Sequence, residues 1–279
     1  MSRWRGRLLV LVAGSVLTAI VLLALFADRV APAGPNDQDI AARLRPPAMV
    51  GGTWSRPLGT DELGRDVLSR LLHGGRVSLM VGLLAVAVSC PIGVVIGLAS
   101  GFFGGWIDRM LMRLTDIQLA IPTILLAMAL VTVLGPGVPN LIITLSVTGW
   151  TIYARLIRGE TLALRDRDFI EATRAAGAGQ ARIMFRHVLP NVVSPLIVVA
   201  TFAVGSMVVL EATLSFLGIG VPLRVATWGS MLSSGRTYLK SAWWITAFPG
   251  LAIFVTVLAI NALGDSMRDA LDPRLRSRV

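Results

Sequence analysis

The sequence contains one cysteine, Cys90, one lysine, Lys240, and two histidines, His73 and His187. Each scarcity removes a class of chemistry. A lone cysteine forbids an intrachain disulfide, and Cys90 lies in an apolar run, where it reads as a small core residue. With Lys240 as the sole lysine, after Tyr238-Leu239, there is no G-x-x-x-x-G-K-[ST] phosphate loop, so ATP is not bound in that way. The two histidines are far apart and belong to no H-E-x-x-H, so they form no metal pair. No G-x-S-x-G elbow occurs. "GAGQAR" from Gly177 fails the dinucleotide fingerprint, because Arg182 stands where the third glycine belongs and no strand precedes it. Charge is scarce as well: 15% of residues are charged and 54% hydrophobic. A soluble domain is nearer a quarter charged.

What is abundant is apolar length and arginine. The formal net charge is +10, carried almost wholly by arginine. These bases flank apolar spans and do not form one solvated face, which argues for a membrane and against nucleic acid. A spanning helix needs about 20 apolar residues. Residues 8–26 are uncharged and follow Arg3, Arg5 and Arg7. Ala31-Pro32-Ala33 imitates a signal-peptide cleavage site, but the run exceeds the usual apolar core of a signal, so an uncleaved anchor is favoured. Further spans are predicted near 79–98, 117–134, 139–157, 188–210 and 241–264. "GPGVPN" divides the third from the fourth. Trp150 and Tyr153 are expected as interfacial anchors of the fourth. The fold class is therefore all-α integral membrane, with six transmembrane helices. The chain divides into an anchor (1–27), an extracytoplasmic segment (28–76), a five-helix core (77–265) containing a cytoplasmic loop (157–190), and a tail (266–279).

Six spans place both termini on one side. With the N-terminus inside, inside segments hold sixteen bases and outside segments ten. The positive-inside rule thus favours cytoplasmic termini and a cytoplasmic loop at 155–186. Between the first and second spans, "GRDVLSRLLHGG" puts Val67, Leu68, Leu71 and Leu72 opposite Arg65, Ser69 and Arg70. It reads as an interfacial amphipathic helix ending at Gly74-Gly75. Its polar residues Arg65, Asp66 and Arg70 suit either a docking face for another protein or a cover on the membrane surface. Gly93, Gly97, Gly101 and Gly105 recur every four residues, a stripe for close approach of another helix, within the chain or from a partner. Asp116 opens the third span as an N-terminal acid. Glu211 is the one acid deep in the fifth span. It could meet a peptide amine or a metal cation, or be a structural hydrogen-bonding acid.

The cytoplasmic loop carries "EATRAAGAGQARIMFRHVLPN" from Glu171. An alanine-rich helix over 167–176, with acids in its first turn, stops at Gly177 in the left-handed conformation. A second helix over 180–188 has Ile183 and Phe185 as apolar contacts and Arg182 and Arg186 on solvent. Pro190 bars unbroken continuation into the fifth span. Ala172, Ala175 and Gly177 would let another protein come close, though a solvated basic loop fits the same residues. Physics alone leaves the two level.

Glu171-Ala172, then Gly177, then Leu189-Pro190 resemble the "EAA…G…LP" motif of bacterial ABC-importer permeases. Thr173 replaces the motif's second alanine and His187 its usual hydrophobic residue, both as in the dipeptide/oligopeptide/nickel branch. "LGTDELGRDVLSRLLHGGRVSL", "EATLSFLGIGVP" with Trp228-Gly229, and "LGDSMRDALDPRLR" resemble the same branch, so the likeness covers residues 58–276. The resemblance implies a non-catalytic permease subunit in the bacterial cytoplasmic membrane. It implies that the loop, through Glu171, Ala172, Gly177, His187, Leu189 and Pro190, docks on an ATPase. ATP and Mg would sit on two partner ATPase subunits, with no cofactor in this chain. It further implies a second, homologous permease and an extracytoplasmic substrate-binding protein, for which Arg65, Asp66 and Arg70 are the candidate docking face. Dipeptides or oligopeptides are the leading cargo and nickel the alternative; methionines and histidines form no cluster that would hold a metal. An intramembrane enzyme would need a polar partner for Glu211, and none is evident. A stand-alone secondary transporter would show inverted repeats and midplane charges, and neither is clear.

Overall fold

The computed structural model describes residues 2–271, with side chains from Leu8 onward. The side chains of Arg3, Arg5 and Arg7, the end of the last motif, and Arg274, Arg276 and Arg278 lie outside the described residues. No strand forms among the described residues; the one isolated bridge pairs Thr60 with Asp66. The helices are α1 (Ser2–Leu25), α2 (Val67–Phe103), α3 (Gly105–Ala120), α4 (Thr123–Leu134), α5 (Val138–Arg165), α6 (Asp168–Ala175), α7 (Gln180–Ile183), α8 (Leu189–Phe216), α9 (Trp228–Gly235) and α10 (Trp244–Leu271). Five are long and apolar enough to cross a bilayer: α1, α2, α5, α10 and the unbroken run from α7 through α8.

The sixth crossing differs from the straight span expected at 117–134. Here α3 and α4 meet at 90°. The 12 residues of α4 reach about 18 Å, short of a hydrocarbon core of about 30 Å. The break falls at Ile121-Pro122, where Ile121 is extended at φ −94°, ψ 125°. Proline pushes its predecessor out of the helical region, an effect hydropathy does not register. Asp116 accordingly sits in the C-terminal half of α3, not at the start of a span.

The bundle is built on the pairing of α2 with α5. Gly93, Gly97 and Gly101 make it possible. A methyl on Gly97 would stand 2.6 Å from the Ala154 carbonyl oxygen, and one on Gly101 2.7 Å from Thr161 Cβ. The stripe is intrachain packing, and Gly105 is not part of it: it lies beyond the helix end at φ +54° with open space around it. Trp150 and Tyr153 are buried in this seam, at 7% and 0% exposure, and are not interfacial anchors. The Tyr153 side chain lies where a Cβ on Gly93 would go. Apolar length marks such residues as out of water; it does not distinguish lipid from a neighbouring helix.

The segment before α2 is also no free cover. The helix does not stop at Gly74-Gly75 but runs on for 37 residues, about 55 Å. Those glycines admit α9: a methyl on Gly75 would meet the Trp228 ring at 2.9 Å, and Trp228 Nε1 donates to the Leu71 carbonyl. Val67, Met231, Ala242, Trp244 and Ile245 form a cluster closed by Leu44 and Leu58. Trp244 Nε1 donates to the Thr60 carbonyl at 3.0 Å, tying the long segment to the start of α10. Just beyond α1, in a short helical turn at Ala27–Val30, Asp28 accepts from Arg76 at 3.0 Å and faces His73 Nε2 at 3.1 Å. The Arg76 hydrogen bond, with His73 beside it, holds the Asp28 carboxyl below the usual carboxylate range.

Candidate functional site

The hairpin of α6 and α7 is anchored on one side and bare on the other. Its inner residues Ile170 and Ile183 are 0% and 1% exposed. They pack with Leu98 of α2, Ile157 of α5 and Val192 of α8, so the hairpin is seated on three long helices at once. Phe185 is the exception to the expected contacts; it is 56% exposed. Arg182 and Arg186 are on solvent, as the sequence reading has them.

The bend closes by a double hydrogen bond. Gly177 N–H donates to the Arg174 carbonyl at 3.0 Å and Ala178 N–H to the Thr173 carbonyl at 3.2 Å. This is the Schellman termination, which needs a left-handed residue at its centre; Gly177 supplies it at φ +82°. Glu171, Ala172, Ala175, Ala176, Gly177 and Gly179 are exposed on the outer side. A Cβ at Gly177 or Gly179 would meet nothing within 4 Å. Glu171 lies in the first turn, but α6 has no side-chain cap, and the carboxylate pairs with no base among the described residues. The result is a shallow platform of small residues that carries the Glu171 carboxylate.

The expected break before α8 takes another form. Residues Met184–Val188 form one π-helical turn, and Leu189 N–H donates to the Met184 carbonyl. Pro190 then sits in the first turn of α8, where its missing N–H is harmless. A π turn absorbs the proline without ending the helix. Asn191 Nδ2 adds a bond to the His187 carbonyl at 2.6 Å. His187 and Leu189 are half-buried and Pro190 is exposed. α7, the π turn and α8 are therefore one continuous helical run from Gln180 to Phe216, so the second arm of the hairpin leads without a break into a membrane helix.

The other expected site residues are placed differently. Arg65, Asp66 and Arg70 do not face outward: they are 5%, 0% and 1% exposed. Arg65 Nε meets Asp61 Oδ2 at 2.6 Å, and Arg70 Nε stands 3.6 Å from the same oxygen. Asp66 Oδ2 accepts from the Ser69 backbone and hydroxyl, both at 2.7 Å, capping α2. The docking-face expectation is thus replaced by a buried ion cluster that folds the segment onto α2; the helical wheel could not show that Asp61 and Pro35 cover its polar face. Glu211 is 0% exposed and accepts from Ser78 and Ser215 hydroxyls at 2.8 Å each. Ser78 Oγ in turn accepts from Trp228 N–H. Glu211 thus joins α2, α8 and α9.

Open space lies elsewhere. A cavity of about 740 Å³ next to Pro190 is lined by Glu160, Ser194, Phe202 and Arg268 among others. One of about 620 Å³ lies among α4, α5 and α8. Among the described residues no cluster of three His, Cys, Asp or Glu could hold a metal ion.

The fold is a multi-pass helical bundle that carries an anchored hairpin with an exposed face of small residues. Known proteins with similar sequences define its class. Residues 93–277 match the family described as binding-protein-dependent transport system inner membrane component. Residues 1–47 match the N-terminal TM domain of oligopeptide transport permease C. A di/tripeptide transport system permease protein of Pseudomonas aeruginosa is 48% identical over 92% of this chain and 86% of that one. A dipeptide transport system permease protein of Escherichia coli (strain K12) is 46% identical over 95% and 89%. A chain of the MetNI methionine ABC transporter, captured in inward facing conformations, has the same fold at TM-score 0.58 and 21% identity, covering 73% of this chain and 96% of that one. This chain belongs to the binding-protein-dependent inner-membrane permease family. It is a multi-pass, non-catalytic component of an ABC importer, a family that works with ATPase and substrate-binding-protein partners.

Proposed function

We propose that the chain forms half of the pathway by which dipeptides or oligopeptides enter the cell, the other half being a second, homologous permease. Two ATPase subunits bind ATP and Mg, and one of them docks on this chain's platform at Glu171, Ala172 and Gly177. Both termini and the hairpin are cytoplasmic, and a substrate-binding protein delivers cargo at the opposite face. Small exposed residues admit an ATPase groove, and Glu171 pairs with a base there. Closure of the ATPase pair moves the hairpins together, and the continuous α7–α8 rod carries that motion into the membrane.

The observation that carries this reading is the bare platform seated on α2, α5 and α8. The names of the relatives support peptide as the cargo. The test is uptake of radiolabelled alanyl-alanine and of nickel by cells with and without this gene, complemented by the wild-type chain. Loss and recovery of dipeptide uptake alone is the expected result. Loss of nickel uptake with dipeptide uptake intact would overturn the cargo reading.

A further inference from the structure

The outward faces of the long helices are not alike. Leu11, Val95, Leu251 and Phe254, on α1, α2 and α10, are 57–70% exposed and wholly apolar, as lipid requires. The cavity of about 620 Å³ is different: Thr123, Thr148, Thr151, Ser206 and Arg155 share its wall with Met207 and Leu210. Of these, Thr123, Ser206 and Arg155 are exposed, and an arginine on such a wall is not suited to lipid. The volume lies in the range of small-ligand sites. A second cavity of about 580 Å³ adjoins α3 and is lined by Asp108, Arg113, Asp116 and Arg158.

One ion pair stands between the two spaces. Arg155 lines the first and Asp116 the second, and Arg155 Nη2 meets Asp116 Oδ1 at 2.6 Å. The side chains are 55% and 62% exposed. The neighbouring pair is built otherwise. Arg158 grips both oxygens of Asp108 at 2.6 and 2.7 Å, Ser100 also donates to that carboxylate, and the two charged side chains are 34% and 19% exposed. Arg158–Asp108 is a brace between α3 and α5. Arg155–Asp116 is a single contact that leaves Asp116 Oδ2 and the rest of the guanidinium fork without partners among the described residues. So exposed a pair contributes little to the fold and is readily exchanged for a ligand's charges.

We propose that Arg155 and Asp116 are a zwitterion-binding pair on the transport pathway. The α-carboxylate of a passing dipeptide takes the guanidinium fork, whose geometry matches a carboxylate, and the α-ammonium takes Asp116. The peptide's side chains lie among Thr123, Thr151, Ser206 and Met207. The pair closes on itself when no peptide is present. This rests on the peptide reading above.

The test uses the full importer in proteoliposomes with its binding protein. Arg155→Gln, Asp116→Asn and the double variant are compared by dipeptide imported per ATP hydrolysed. Each single change is expected to lower that ratio about tenfold, and the double variant is expected to be no better. A pair that only braces helices behaves oppositely: the double variant, which leaves no unpaired charge, would recover wild-type import, and that result overturns the proposal. A second measurement does not depend on variants. During turnover of the wild-type importer, alanyl-photoleucine is photolysed and the label mapped by mass spectrometry. Label within 148–155 or 199–210, competed by alanyl-leucine but not by its N-acetylated amide, is expected. Import with no label there overturns the site while leaving the peptide reading intact. A wild-type importer that moves nickel and no dipeptide overturns both.

Discussion

Replacing Gly177 isolates one physical quantity. The residue sits at φ +82°, and a Cβ there would meet nothing within 4 Å. An alanine thus brings no clash, and its whole effect is backbone strain, about 1–2 kcal/mol for an L-residue in the left-handed region. That weakens occupancy of the observed bend by about 5- to 30-fold. Asparagine enters the left-handed region more readily than alanine, so Gly177→Asn is the milder change. Proline fixes φ near −65° and removes the N–H that donates to the Arg174 carbonyl at 3.0 Å, so Gly177→Pro is the severest. The inner cluster of Ile170 and Ile183 is untouched, so the protein remains folded in the membrane. The assay is dipeptide import and binding-protein-stimulated ATP hydrolysis by the reconstituted complex. Import is expected to fall in the order Asn, Ala, Pro. Equal import by all three, or proline better than asparagine, would refute the argument that docking needs the left-handed bend at Gly177.

Gly97→Leu places a side chain against the Ala154 carbonyl and should lower stability by at least about 1–3 kcal/mol, read as a fall in melting temperature of the detergent-solubilised chain. Asp61→Ala leaves the buried Arg70 without a carboxylate and Arg65 with Glu62 alone, at a cost of about 3–5 kcal/mol. It should deplete folded protein, whereas an outward docking face would give normal amounts and failed delivery. Glu211→Leu deprives the Ser78 and Ser215 hydroxyls of their acceptor, about 1–3 kcal/mol, while Glu211→Gln keeps an acceptor and should retain import. Wild-type import by Glu211→Gln together with a destabilised Glu211→Leu separates a structural acid from one that must carry charge.

The helices that could be read from sequence are those whose cause is local. The apolar runs of α1, α5, α8 and α10 lie close to where hydropathy places them, and α6 starts and stops on its own acids and Gly177. Where the cause is a partner distant in sequence, pattern fails. Trp150 and Tyr153 look like membrane-surface aromatics until Gly93 is opposite them. Arg65 and Arg70 look solvent-facing until Asp61 and the Pro35 carbonyl cover them, and Gly74-Gly75 look like a stop until Trp228 needs the space. Two prolines act in opposite ways for a related reason. Pro122 breaks a span that hydropathy draws straight, whereas Pro190 is absorbed by the π turn before it. The pair Arg155–Asp116 joins residues on two helices and has no local signature at all.

The central claim, that the platform is where an ATPase docks, is tested most directly by Ala172→Trp. Ala172 is exposed and outside the inner cluster, so the variant folds. The measurement is the amount of ATPase that co-purifies with the tagged permease pair, with ATP hydrolysis stimulated by loaded binding protein recorded on the same sample. The account predicts an intact permease pair that has lost its ATPase and its stimulated hydrolysis. An Ala172→Trp complex with full ATPase content and wild-type stimulation would contradict it.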